Sequence, residues 1–382
     1  MKFPRPALYA GVSILLLTGC SEPAPGGKAE SAGAQAADAS ATVADAKALP
    51  APDVHPEPLE IPVIQASASP VAQPIDTAEW SAEPETPQAK RNAMLRAQVL
   101  LARAHFSPGV IDGQDGGNVR NAIAAFEAAH ALPVDGVMDD QVWVALSKDE
   151  QPALTDYVIT AEDVKGPFVA KIPTDYAEMA KLPALSYSSP SEALAEKFHM
   201  DEILLKTLNP GADFSAVGTQ IVVAVLGPDK LPASVARLDV DKAKRQIRAY
   251  DDGGDLIAVY PATVGSAERP APEGEWAVRT VAPNPTYTYD PSRLTFGKAS
   301  NGKLTIKPGP NNPVGSTWID LTKDTFGIHG TPDPRLVGKT ASHGCVRLTN
   351  WDVRQLSQAV KKGTKVAFVG VEQASAPKKA GA

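Results

Sequence analysis

The chain has 382 residues, 43% hydrophobic and 21% charged, which is long enough for more than one core because single domains mostly run about 100–200 residues. Its formal net charge is -7, and no run of Lys and Arg is long enough to follow a phosphate backbone, which excludes nucleic acid as a partner. Two cysteines are too few for a disulfide framework.

Residues 1–20, "MKFPRPALYAGVSILLLTGC", place Lys2 and Arg5 before an apolar run of roughly a dozen residues, the length of an export signal and too short to span a bilayer. The closing Leu17-Thr18-Gly19-Cys20 resembles the lipobox of bacterial lipoproteins. That resemblance implies that Cys20 is lipidated, that the protein is exported to the periplasm on a lipid anchor, and, through Ser21, that the outer membrane is favoured. Acyl chains add about 0.8 kcal/mol of membrane affinity per buried methylene. With Cys20 lipidated, Cys345 has no intramolecular partner. A lone thiol in an oxidising compartment is either buried and inert or kept for its chemistry.

Residues 21–91 hold eleven prolines, many alanines and few large apolar residues, and read as a disordered tether with a reach on the order of 50 Å. From 92 to 149, Leu95, Val99 and Phe106 recur at helical spacing, followed by a second helix with Asn118 as its cap and a third carrying Val142 and Leu146. This three-helix layout resembles a peptidoglycan-binding domain. Residues 150–183 take no assignment. Residues 184–228 read as strand ("ALSYS"), two short helices and strand ("TQIVVAVL"), with Asp201 capping the second helix. The pattern resembles a lysin motif, another peptidoglycan-binding module.

From 233 to 370 the period becomes two. Leu238 and Val240 alternate with charged residues, "DDGG" marks a hairpin, and "EGEWAV", "KLTIKP", "TFGIHG" and "TKVAFV" add strands around one helix capped by Asn350 or Thr349. Residues 371–382 read as a disordered tail. The expected fold is multidomain: a small helical domain, a small α+β module and a mainly-β domain.

Within that last domain His329, His343 and Cys345 lie close in sequence, and the intervening "GTPDPRLVGKTA" has the composition of a loop that folds back. A thiol near its ordinary pKa is mostly protonated at neutral pH, so attack on an amide needs a base. His329, at the end of a strand, is the better candidate. Backbone N–H groups around Gly344 and Cys345 are candidate oxyanion donors. His343 shares a face with Cys345 in an extended stretch and is a candidate substrate or oxyanion contact. Arg347 either grips a substrate carboxylate or forms a structural ion pair.

The stretch "HGTPDPRLVGKTASHGCVRL", together with "PGPNNPVG" at 308–315, resembles the signature of the L,D-transpeptidase catalytic domain over about 235–369. The resemblance implies a β-sandwich-like fold with a groove under a lid, Cys345 as nucleophile, His329 as proton acceptor and donor, and the Gly330 carbonyl as the group that orients His329. Ser342, His343, Gly344 and Arg347 complete the expected supporting set. The implied reaction is thioester formation with a peptidoglycan tetrapeptide stem, release of D-alanine, and transfer to an amine of another stem or of a lipoprotein lysine. Water as acceptor would make the site a hydrolase. The family implies acylation by carbapenems and no metal or cofactor. Two rival readings are a zinc hydrolase using His329, His343 and Cys345, and a non-catalytic anchor between membrane and wall with an inert Cys345.

Overall fold

The computed structural model describes residues 64–265, 270–292, 302–342 and 344–371. The expected signal with Cys20, most of the expected tether, His343 and the tail from 372 lie outside the described residues. Among the described residues no helix is long and apolar enough to cross a membrane.

Four helices come first: α1 (Gln73–Asp76), α2 (Pro87–Arg103), α3 (Gly117–Ala129) and α4 (Asp140–Leu146). Thr86 caps α2 by accepting the Ala89 N–H, and Pro87 occupies the first turn, where its missing N–H leaves no bond unmade. Asp139 caps α4. The cap of α3 is Gly116, not Asn118, whose amide instead donates to the Val337 carbonyl at 2.9 Å. Leu100, Ile123, Phe126 and Val142 form the core of this bundle. Residues 64–91, read above as the end of a tether, are folded. Ala72 and Ile75 enter a core shared with Leu154 and Ile221, and Asp76 accepts the Ala153 and Leu154 N–H groups at 2.8 and 2.9 Å. A segment too poor in apolar residues to fold alone is ordered by a neighbour's core.

Next come β1 (Leu154–Val158), α5 (Ala161–Val164), α6 (Tyr176–Met179), α7 (Pro190–Lys197), α8 (Glu202–Leu208) and β2 (Gln220–Ala224). Asp201 caps α8 as expected. The strand that pairs with β2 is β1, antiparallel from Leu154↔Ala224 to Val158↔Gln220, and not "ALSYS". Leu185 is instead a buried anchor: its N–H donates to Pro308 O and its carbonyl accepts the Asn311 N–H, both at 2.9 Å. The expected strand–helix–helix–strand module is thus strand, a long excursion through α5 and α6, the two expected helices, and strand.

The remaining elements are β3 (Arg237–Asp241), β4 (Gln246–Tyr250), β5 (Leu256–Pro261), β6 (Gly274–Pro283), β7 (Tyr287–Tyr289), β8 (Leu304–Ile306), β9 (Thr317–Leu321), β10 (Gly327–His329), β11 (Val346–Arg347), α9 (Asn350–Ala359) and β12 (Lys365–Val369). Eight strands make one sheet in the order β11-β10-β9-β6-β12-β3-β4-β5, while β7 and β8 form a separate ribbon. Just past β5, Thr263 exchanges two backbone hydrogen bonds of 2.9 Å with Arg347 of β11. The two ends of the sheet are therefore bridged. The expected sandwich is corrected to one curled sheet, since a twisted eight-strand sheet can satisfy its end strands by curling rather than by stacking on a second sheet. Leu238, Ile247, Tyr260, Ile319, Ile328 and Val346 fill its core with Val353 and Leu356 of α9. Thr349 caps α9.

Candidate active site

The site forms where β10 and β11 run parallel, with Ile328 opposite Val346 and His329 opposite Arg347. Ile328 and Val346 point into the core. Strand alternation then puts His329 and Arg347 on the other face, and Cys345 immediately precedes β11, at the end of the strand paired with β10. The loop joining the two strands is held from three sides. Arg335 pairs bidentately with Asp201 at 2.5 and 3.0 Å, Asn118 bonds Val337, and the Thr263 hydroxyl bridges Leu336 O and Gly338 N at 3.3 and 3.0 Å.

Cys345 sits half-buried behind a tight turn. Ser342 braces that turn: its Oγ accepts the Gly344 N–H at 3.1 Å and donates to the Cys345 carbonyl. The Gly344 N–H, expected as an oxyanion donor, is therefore already engaged. Gly344 has φ +115°, and a Cβ there would lie 2.9 Å from the Phe326 ring. The thiol donates to Thr325 O at 3.7 Å, and Thr325 itself has φ 71°, unusual for a β-branched residue. Burial pushes the thiol pKa up, and the Gly327 N–H and the Arg347 charge pull against that shift.

His329 is buried. Its Nδ1 lies 2.7 Å from Gly330 O. A carbonyl only accepts, so Nδ1 carries the proton and the Nε2 lone pair is free. The ring stacks on Trp318, its partner across β9, with centroids 5.4 Å apart and planes within 17°. Burial first, then the Arg347 charge, lowers its pKa to about 3, so the imidazole is neutral at pH 7. Arg347 stands opposite His329 across the β10–β11 pair, and its charge helps to lower the His329 pKa. Groups of three potential metal ligands are absent among the described residues, while the zinc reading rests on His343, which lies outside them.

Two features escaped the sequence reading. Tyr176 of α6 packs against Tyr287 and Tyr289 of the β7–β8 ribbon, with centroids 5.8 and 4.9 Å apart. Burial raises the pKa of both Tyr287 and Tyr176. Elsewhere, Glu196 of α7 is half-buried beside Asn350 and Tyr187, at the edge of a cavity of about 420 Å³ also lined by Lys197, Pro310 and Arg354. Neither Tyr176 nor Glu196 carries a sequence pattern that marks it, and both lie on helices before the mainly-β region.

Residues 236–367 match the L,D-transpeptidase catalytic domain family, and residues 90–146 match a peptidoglycan-binding domain family. A Bacillus licheniformis protein named as the L,D-transpeptidase YkuD is 30% identical over 180 residues, covering 46% of this chain and 92% of that protein. YqjB of Bacillus subtilis, likewise named as an L,D-transpeptidase, is 37% identical over 147 residues, covering 37% of this chain and 74% of that one. A crystal structure of the L,D-transpeptidase from Xylanimonas cellulosilytica overlaps 76% of this chain and 100% of its own at 16% identity, with a TM-score of 0.33. Matched along nearly the whole of the Bacillus licheniformis relative, this chain belongs to the L,D-transpeptidase family, and it is an L,D-transpeptidase.

Proposed function

We propose that Cys345 attacks the carbonyl of the third residue of a peptidoglycan tetrapeptide stem. As the S–C bond forms, the thiol proton passes to His329 Nε2. The C–N bond then breaks, and D-alanine leaves with that proton, giving a thioester. An amine of a second stem, or of a lipoprotein lysine, attacks the thioester; His329 takes the amine's proton and returns it to the departing sulfur. What supports the reading is that Cys345 directly precedes β11, the strand paired with the one that ends in His329, and that Gly330 fixes the imidazole tautomer.

Both partners are neutral at rest, so proton transfer accompanies attack; general-base help of this kind contributes about 10² to 10⁴ in rate. Ser342 holds the turn, Gly344 supplies its backbone conformation, Arg347 grips a stem carboxylate, and His343 contacts the substrate. The ribbon β7–β8 with α6 forms the lid. The β1–α7–α8–β2 unit is a lysin-motif-like glycan binder, and Cys20 carries the lipid that fixes the exported chain to the outer membrane through the residues before 64. The test is mass spectrometry of disaccharide-tetrapeptide incubated with the protein. D-Alanine loss with dimer formation, abolished in Cys345→Ala, supports the reading. Tripeptide alone makes water the acceptor, and D-alanine release persisting in Cys345→Ala overturns the nucleophile.

A further inference from the structure

Beyond the catalytic sheet, a partly buried chain of hydrogen bonds runs from α7 toward the backbone that holds His329. Glu196 Oε1 accepts the Tyr187 hydroxyl at 2.9 Å and the Asn350 amide at 3.0 Å. The same amide donates to Pro310 O at 3.1 Å, and Asn350 Oδ1 accepts the Ser316 N–H at 2.9 Å. Asn350 Oδ1 also lies against two glycines: a Cβ at Gly330 would come within 2.1 Å of it and one at Gly315 within 2.2 Å. Gly330 is the residue whose carbonyl fixes His329. Rotating the Asn350 amide, or letting it drift, would therefore move the support of the imidazole. Among the described residues Glu196 and Pro310 hold its Nδ2 end, and Glu196 belongs to a helix outside the 236–367 segment that matches the catalytic family.

We infer that Glu196 is a positioning residue for His329: by fixing the Asn350 amide it sets the Gly330 carbonyl and makes the docked α7–α8 unit part of the catalytic apparatus. The α7 segment has other anchors: the ring of His199, two residues past its end, stacks on Trp351 of α9 at 5.0 Å, and Glu192 accepts the amide of Asn311, in the loop before β9, at 3.0 Å. Loss of the Glu196 carboxylate should therefore disturb the amide without undocking the helix. The groups that face Glu196 are Glu192 and Lys197 on its own helix, Tyr187 before it, Arg354 on α9, and Glu162 and Asp163 across the cavity. The inference rests on the proposed role of His329 as base.

The experiment compares kcat and KM for D-alanine release by the full-length protein and its Glu196→Ala, Glu196→Gln and His329→Asn variants, together with the ¹⁵N chemical shifts of the His329 ring. Misplacement of a catalytic group by about 1 Å costs up to about 100-fold. Glu196→Ala is expected to lower kcat about 10- to 100-fold with KM within about twofold, and to shift the His329 ring nitrogens. Glu196→Gln, which keeps an acceptor oxygen, should rescue kcat to within about threefold of wild type. If Glu196→Ala shows no cooperative unfolding, Glu196→Met, of similar volume and without an acceptor, carries the same expectation. A wild-type kcat in Glu196→Ala or Glu196→Met, or no rescue by Glu196→Gln, overturns the positioning role. Undiminished release by His329→Asn would instead overturn the underlying assignment of the base.

Discussion

At the scale of the residue, the electrostatics of Cys345 and His329 set an expectation that separates two kinds of cysteine enzyme. A preformed thiolate–imidazolium pair alkylates readily in mild acid. Here burial raises the thiol pKa and lowers that of His329 to about 3, so both stay neutral near pH 7. The rate of iodoacetamide modification of Cys345 should therefore rise with pH through and above the ordinary thiol range; a plateau between about pH 5 and pH 8 would contradict this. Gly330 supplies a second expectation. A methyl group there meets Asn350 Oδ1 at 2.1 Å, so Gly330→Ala should cost about 1–3 kcal/mol in a urea titration and sharply reduce turnover. The cysteine and the histidines stood out in the sequence because their types are rare and their spacing tight. Glu196 did not, because "SEALAEKF" reads as an ordinary amphipathic helix and its Asn350 partner is 154 positions away.

At the scale of the element, local signals were read well where they are local. Thr349 and Asp201 cap the helices that follow them, and the alternation around Leu238, Ile247 and Tyr260 marks strands whose inner residues are buried. What failed was pairing at long range. Nothing in "LTDYV" announces a partner more than sixty residues downstream, whereas "ALSYS" lies at a plausible distance and has strand-like composition, yet its backbone bonds go to Val169, Pro308 and Asn311. The excursion between β1 and α7 has its own consequence. Its short helix α6 lays Tyr176 on the β7–β8 ribbon proposed above as the lid. Tyr176→Ala should raise the iodoacetamide rate at fixed pH by roughly two- to tenfold, because opening a local cover costs less once an aromatic contact of about 0.5–1.5 kcal/mol is gone. An unchanged rate would mean that the ribbon covers the thiol without help from α6.

At the scale of the whole molecule, buried ionisable groups make stability depend on pH in a definite direction. Burial raises Glu196 and Asp352 to about 7, so between their ordinary values and about 7 the folded chain binds more protons than the unfolded one, and stability falls as pH rises. Burial lowers His199 and His329 to about 3, so stability also falls as pH drops from about 6.5 toward 3. The melting temperature should decline from about pH 6 to pH 8, and Glu196→Gln combined with Asp352→Asn should flatten that decline; a decline as steep in the double variant would assign it to other groups. The segment that matches the catalytic family was legible, but its dependence on the rest of the chain was not. Asp352 bonds Ser107 from 245 positions away, and Val259 of β5 lies in the core of the helical bundle. On its outer side β5 is paired by His105 and Ser107, through bonds of 2.9 and 2.8 Å to Val259. Cutting away the bundle would leave an apolar strand with bare N–H and C=O groups, a template for joining another copy. A fragment trimmed to the enzyme segment would thus be sticky in solution, and its scattered light should climb with concentration while that of the intact chain stays flat.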